Sequence, residues 1–254
     1  MSLYVKTIGA GEPLVMLHGW GMHGGIWQST AERFADNHEV HVVDLPGHGE
    51  SSPPDSFTLD NVVDQLDAKF EQPVTVIGWS LGGIIAQHWA TQAPHKIKRL
   101  VLVATTPSFA QRDDWDNGMP QETLSQFAAE LEKNFAVTLR LFLALQVRGS
   151  EAERELLSVL RELLFVRGEP HLKALRGGLN ILRDADLRSE LPEINQPALV
   201  IAGQRDKLTP PAASHFMAQA MPNARMVEIT GAAHAPFLSH QDKFVEYVFG
   251  FMEH

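Results

Sequence analysis

The chain has 254 residues, 44% of them hydrophobic, which suffices for one sizeable core and fits one α/β domain or two small ones. A formal charge of −10 argues against a nucleic-acid partner, because binding phosphates requires a basic face that releases counterions. With no cysteine there are no disulfides, thiolate metal sites or cysteine nucleophile, so covalent chemistry falls to Ser, Thr, Asp, Glu, Lys, His or Tyr.

Strand-like runs occur at Leu3–Thr7, Leu14–His18, Val40–Asp44, Val74–Gly78, Leu100–Ala104, Ala198–Gly203 and Arg225–Ile229. Most are continuously apolar rather than alternating, as in central strands buried on both faces. Stretches long enough for a crossover helix, such as Asn61–Phe70 and Leu81–Ala93, separate several of them. This predicts βαβ units in a mainly parallel sheet.

From Pro107 to Leu191 no strand-like run occurs and the periodicity is helical, with stripes at Leu124, Phe127, Leu131 and Phe135, at Leu156, Leu160, Leu163 and Leu164, and at Leu172, Leu175, Leu179 and Leu182. The expected organisation is a core of residues 1–106 and 192–254, with a helical cap of residues 107–191 inserted between two strands and folded over the carboxyl edge of the sheet. No apolar run reaches about 18 residues, and no signal-like N-terminus or lipidation motif is present, so the expected location is the cytoplasm.

Gly78-Trp79-Ser80-Leu81-Gly82 joins an apolar run to a small-residue helical run. A serine on such a strand-to-helix turn is held in a strained conformation with its hydroxyl exposed above the sheet, and the glycines let neighbouring backbone approach. The helix that starts there aims free N–H groups at any anion forming beside Ser80, which makes Leu81 N–H a candidate oxyanion donor. The order Ser, acid, His on loops after successive strands then selects Asp206, after Ala198–Gly203, and His234, after Arg225–Ile229, as acid and base. Asp184 and Asp186 compete but lie in the cap, and Glu228 lies inside a strand. His18-Gly19-Trp20-Gly21 follows Leu14–Leu17 and offers Trp20 N–H as the second oxyanion donor. His18, Asp44 and His48 read as structural groups of their loops. The histidines lack metal-ligand spacing and no phosphate-cradling glycine motif opens a helix, so neither metal nor cofactor is expected.

His18-Gly19-Trp20-Gly21, Asp44-Leu45-Pro46-Gly47-His48-Gly49, Gly78-Trp79-Ser80-Leu81-Gly82-Gly83 and Gly231-Ala232-Ala233-His234-Ala235-Pro236-Phe237 together resemble the α/β-hydrolase superfamily over essentially the whole chain. With Arg140-Leu141-Phe142-Leu143-Ala144-Leu145-Gln146, the likeness narrows to the pimeloyl-acyl-carrier-protein methyl ester esterases of biotin synthesis. The resemblance implies a serine carboxylesterase that removes the methyl ester from a carrier-bound pimeloyl chain. It further implies that Phe142, Leu143, Ala144, Leu145 and Gln146 line the acyl channel and that cap arginines meet an acidic carrier protein.

From Arg140 to Arg183 there are eight Lys or Arg against five Asp or Glu, a local +3 in an acidic chain. Arg140, Arg148, Arg154 and Arg161 are the candidates for that contact, although Val137, Leu141 and Ser158 stand where the family pattern carries arginines. The competing picture is solvated helix faces offset by Glu151, Glu153, Glu155 and Glu162. The expected form is a monomer acting also on small esters. The alternatives are a broad short-chain carboxylesterase or carbon–carbon bond hydrolase with the same residues, or a non-enzymatic ligand receptor on this fold.

Overall fold

The computed structural model describes residues 2–253. Seven strands form one sheet: β1 (Tyr4–Ile8), β2 (Glu12–Leu17), β3 (His38–Asp44), β4 (Val74–Trp79), β5 (Ile97–Val103), β6 (Ala198–Gly203) and β7 (Ala224–Ile229). Their order across the sheet is β1-β3-β2-β4-β5-β6-β7. Only β1 is antiparallel to its neighbour, β3; every other pairing is parallel. All residues of β4 and β6 are buried, in keeping with their continuous apolar runs. Several strands begin earlier than their apolar runs, at Glu12, His38 and Ile97, because the ladders continue into polar residues at the amino edge of the sheet.

The helices of the core are α1 (Gln28–Phe34), α2 (Leu59–Lys69) and α3 (Leu81–Gln92) before the insertion, which comprises α4 (Gln121–Lys133), α5 (Phe135–Val147), α6 (Glu153–Leu163) and α7 (Leu172–Asp184). After β6 come α8 (Pro211–Ala220), the single-turn α9 (Pro236–Ser239) and α10 (Gln241–Met252). α3 packs on β4 and β5 and carries α2, whereas α1 packs on β3 and against α10.

The four helices α4 to α7 lie between β5 and β6 and add no strand to the sheet. Leu124 and Leu131 of the first stripe are buried, but Phe135 opens α5 instead of closing α4. The break is made by Asn134, whose side chain accepts from Val137 N–H at 3.1 Å and caps α5. Because α5 is apolar almost all round, it has no stripe for periodicity to find.

Two buried polar contacts tie this insertion to the core. Arg167 reaches both carboxylate oxygens of the fully buried Asp44 at 3.2 Å. His23 Nε2 donates to Leu163 O at 2.7 Å while its Nδ1 accepts from Gly25 N–H at 3.0 Å. Burial lowers the pKa of His23, so the neutral ring serves both contacts. The chain order reverses between β2 and β4, the switch point at which α/β sheets open a crevice at their carboxyl edge.

Candidate active site

Ser80 follows β4 directly and precedes α3 with φ +55° and ψ −116°, backbone angles that an L-residue rarely adopts. Its surroundings impose the turn. A Cβ on Gly78 would stand 2.5 Å from Gly82 O, and one on Gly82 would stand 2.5 Å from Leu17 O, so both positions need glycine for the helix to close on the sheet. Ser80 N–H donates to Val103 O at 3.0 Å, and Thr105 Oγ1 donates to Ser80 O at 2.7 Å. The strained residue is thereby held from both sides.

His234, on the loop between β7 and α9, places Nε2 at 2.9 Å from Ser80 Oγ. Its Nδ1 lies 2.8 Å from Asp206 Oδ2, on the loop after β6. Both ring contacts are buried, with His234 fully inaccessible and Ser80 only 4% exposed, so solvent competes little for either proton. The main chain of His234 is pinned as well, since its N–H donates to Gln146 O at 3.1 Å and its carbonyl accepts from Trp79 Nε1 at 2.7 Å. Asp206 Oδ1 accepts from the N–H groups of Leu208 and Thr209 at 2.8 and 3.1 Å. Thr209 Oγ1 adds a donor to Oδ2 at 2.7 Å. The sequence carries no local signal for Thr209, whose hydroxyl finds its partner only through the fold of the loop after β6.

The loop His18 to Gly21 lies against the same turn: a Cβ on Gly19 would come within 3.3 Å of Ser80 Cβ. Among the described residues, neither Trp20 N–H nor Leu81 N–H has a backbone hydrogen-bond acceptor, and Leu81 opens α3. The loop is shaped by His18, whose Nε2 accepts from Leu45 N–H at 2.9 Å; the ring proton therefore sits on Nδ1, which donates to Gly19 O at 2.8 Å. Burial, with His48 alongside, holds the pKa of His18 well below the usual imidazole range. The buried carboxylate of Asp44 accepts from Gly24 N–H at 2.6 Å and Glu50 N–H at 3.0 Å. Both His18 and Asp44 thus hold loops in place.

Trp20 points its side chain into the helical insertion, where Nε1 donates to Leu175 O of α7 at 2.9 Å and the ring meets Phe142 of α5 edge-on at 4.9 Å. Phe142, Leu143 and Gln146 are buried, and Ala144 and Leu145 are partly so. The buried Gln146 Oε1 has no hydrogen-bond partner among the described residues. A cavity of about 470 Å³ opens beside the Asp206 loop, with Met119, Pro120, Leu145 and Leu208 as apolar walls and Arg148 and Lys207 as cations. Arg140, Arg148, Arg154 and Arg161 are exposed, and none forms an ion pair among the described residues. Arg140 lies over the Phe165 ring at 5.9 Å, and Val137 and Leu141 form an exposed apolar step beside it.

The competing carboxylates lie in other contacts: Asp184 pairs with Arg183 at 2.7 Å and Asp186 with Arg188 at 2.7 Å, while Glu228 is within β7. Among the described residues no cluster of three or more His, Asp or Glu is placed to hold a metal ion. A buried serine in contact with an imidazole, itself in contact with a carboxylate, has the arrangement needed for nucleophilic attack on a carbonyl.

The sequence matches the model of the alpha/beta hydrolase fold family over residues 12–241. The chain belongs to that family. It is similar, at 44% identity over 96% of both chains, to a Chromobacterium violaceum protein named pimeloyl-[acyl-carrier protein] methyl ester esterase. A Nitrosomonas europaea protein of the same name is 43% identical, over 96% of this chain and 97% of its own. These relatives place the chain among the carboxylic ester hydrolases of the family. Among solved structures, an esterase from Exiguobacterium antarcticum superposes with a TM-score of 0.90 at 23% identity, covering 99% of this chain and 96% of its own. A bromoperoxidase from Bacillus anthracis does so with a TM-score of 0.90 at 22% identity, covering 99% and 95%. At that identity the two report the shared fold.

Proposed function

We propose that the protein is a serine carboxylesterase that hydrolyses the methyl ester of pimeloyl-acyl-carrier protein, releasing methanol and the free pimeloyl chain on its carrier. The observation that carries the chemistry is the unbroken chain of contacts Ser80 Oγ, His234 Nε2, His234 Nδ1 and Asp206 Oδ2, at 2.9 and 2.8 Å. The substrate follows from the similarity, at 44% identity, to a protein named for that ester.

In this reading His234 takes the Ser80 proton as Oγ attacks the ester carbonyl, and the N–H groups of Trp20 and Leu81 receive the oxyanion. The bond to the methoxy oxygen then breaks, His234 returns the proton to it, and methanol leaves. Water adds to the acyl-serine with its proton passing to His234, and the collapse of that second intermediate frees the acid and restores Ser80. Asp206 holds the imidazole with Nδ1 protonated and stabilises its charged form. No step calls for a cofactor.

The helical insertion serves as a cap in this account, with Phe142 to Gln146 lining the acyl channel. Arg140, Arg148, Arg154 and Arg161 face solvent and present their charge to the acidic carrier protein.

The test is methanol release from methyl-pimeloyl carrier protein together with labelling by a fluorophosphonate probe. Labelling is expected at Ser80, with loss of both signals in Ser80→Ala. Methanol release that persists in Ser80→Ala would overturn it.

A further inference from the structure

Asp206 Oδ2 receives two donors, His234 Nδ1 at 2.8 Å and Thr209 Oγ1 at 2.7 Å. The two donors also face one another, with Thr209 Oγ1 at 3.3 Å from His234 Nδ1. Thr209 has one hydroxyl proton, and the carboxylate can only accept, so that proton goes to Oδ2 and the hydroxyl lone pairs turn toward Nδ1–H. The residue is 1% exposed, so no bulk water is at hand to replace the hydroxyl. Its backbone N–H donates to the other oxygen, Oδ1, so one residue grips both ends of the acid.

From this closed set of contacts we infer that Thr209 is a positioning residue for catalysis. It fixes the plane of the Asp206 carboxylate and sets how much of its charge is available to the imidazole. The 2.7 Å donor to a buried anion is the stronger of its two side-chain contacts, since charge-assisted hydrogen bonds are roughly twice as strong as neutral ones and the 3.3 Å approach to Nδ1 is long. Removing the hydroxyl therefore has two effects. It leaves Oδ2 with a single donor, which concentrates negative charge beside the ring and favours the protonated imidazole before substrate binds. It also removes one of the four contacts that hold the plane of the carboxylate, the other three being the N–H groups of Leu208 and Thr209 and His234 Nδ1, and the looser acid weakens proton transfer from Ser80.

The substitution leaves the charged residues of the adjoining loops unchanged: Arg205, paired with Glu151, and Lys207 flank the acid in sequence, and Arg148 follows α5. A change in pH dependence can then be assigned to the hydroxyl.

The inference rests on the proposed roles of Ser80, Asp206 and His234, and its test keeps the two apart. Thr209→Val preserves shape and removes the donor; Thr209→Ser keeps the donor and removes a methyl group. With a small methyl ester as substrate, Thr209→Val is expected to lower kcat about tenfold with KM little changed. The acid limb of its rate profile is expected to move to higher pH by about half a unit, and Thr209→Ser to restore both values. A purely structural role would lower the melting temperature without moving that limb.

Thr209→Val with wild-type kcat and an unmoved limb, or Thr209→Ser behaving like Thr209→Val, would overturn the inference. Thr209→Ala supplies the same deletion if the valine variant does not fold. Ser80→Ala separates the failures: activity surviving there sinks the underlying reading, whereas activity lost there and retained unchanged in Thr209→Val sinks only the role of Thr209.

Discussion

Trp79 and His234 are joined side chain to main chain: the indole Nε1 of the residue before the nucleophile donates to the carbonyl of the base at 2.7 Å. The indole is fully buried and packs edge-on against Phe237 at 5.2 Å, so the end of β4 and the loop after β7 are fastened to each other beneath the site. Trp79→Phe leaves that carbonyl unpaired in a dry environment. It is expected to cost about 1–3 kcal/mol of stability and to lower kcat, because His234 loses one of its two backbone anchors. Urea unfolding and steady-state kinetics on the same preparation check both.

Asp206→Asn keeps the size of the side chain but replaces an oxygen that receives Nδ1–H. The imidazole is then free to turn to the other tautomer, with Nε2 protonated toward Ser80. The expected loss in kcat is about 10⁴, by analogy with other Ser-His-Asp sites, with substrate binding affected far less. A pre-steady-state measurement of acylation reads this directly.

Arg167 and Asp44 form a buried pair across the junction of insertion and core, with side-chain exposures of 15% and 0%. Arg167→Met strands the carboxylate without its cation and should cost about 3–5 kcal/mol. The double variant Arg167→Met, Asp44→Asn should recover part of that loss. Denaturant titration of the two single variants and the double variant gives the coupling.

Stability should also fall on acidification for a reason separate from catalysis. Burial pushes the pKa of His48 down to about 4, whereas an unfolded imidazole titrates near ~6.5. Between those values the unfolded chain binds a proton that the folded one refuses. The stabilising contribution is therefore fully present above pH ~6.5 and is lost as the pH falls toward about 4, by about 3 kcal/mol for this residue. His18 shifts in the same direction and adds to the loss. Urea midpoints from pH 7.5 to 4.5 should fall, and less steeply in His48→Asn. A midpoint independent of pH over that range would contradict the assignment.

Much of this was legible in the sequence because each motif sits at the carboxyl end of an apolar run, and parallel strands bring those ends to one edge. Ser80, Asp206, His234 and the Trp20 loop could be placed near one another from order alone, although their distances could not. What stayed hidden depended on contacts without local pattern. The Arg167–Asp44 pair joins positions 123 apart, and the Thr209 hydroxyl resembles any turn threonine until Asp206 is seen beside it. The helix α5 lacked a stripe because its exposed face carries the apolar Val137 and Leu141 as well as Arg140, and the polar residues Glu12 and His38 that open β2 and β3, like Lys98 and Arg99 early in β5, carry no apolar signature.

Carrier specificity is read most directly from kcat/KM for methyl-pimeloyl carrier protein against free dimethyl pimelate, with Ser80→Ala as the blank. A strong preference for the carrier-bound ester is expected, reduced toward that of the free ester when Arg140 and Arg154 are both neutralised. Equal kcat/KM for the two substrates, unaffected by those substitutions, would contradict it and leave an esterase without carrier specificity.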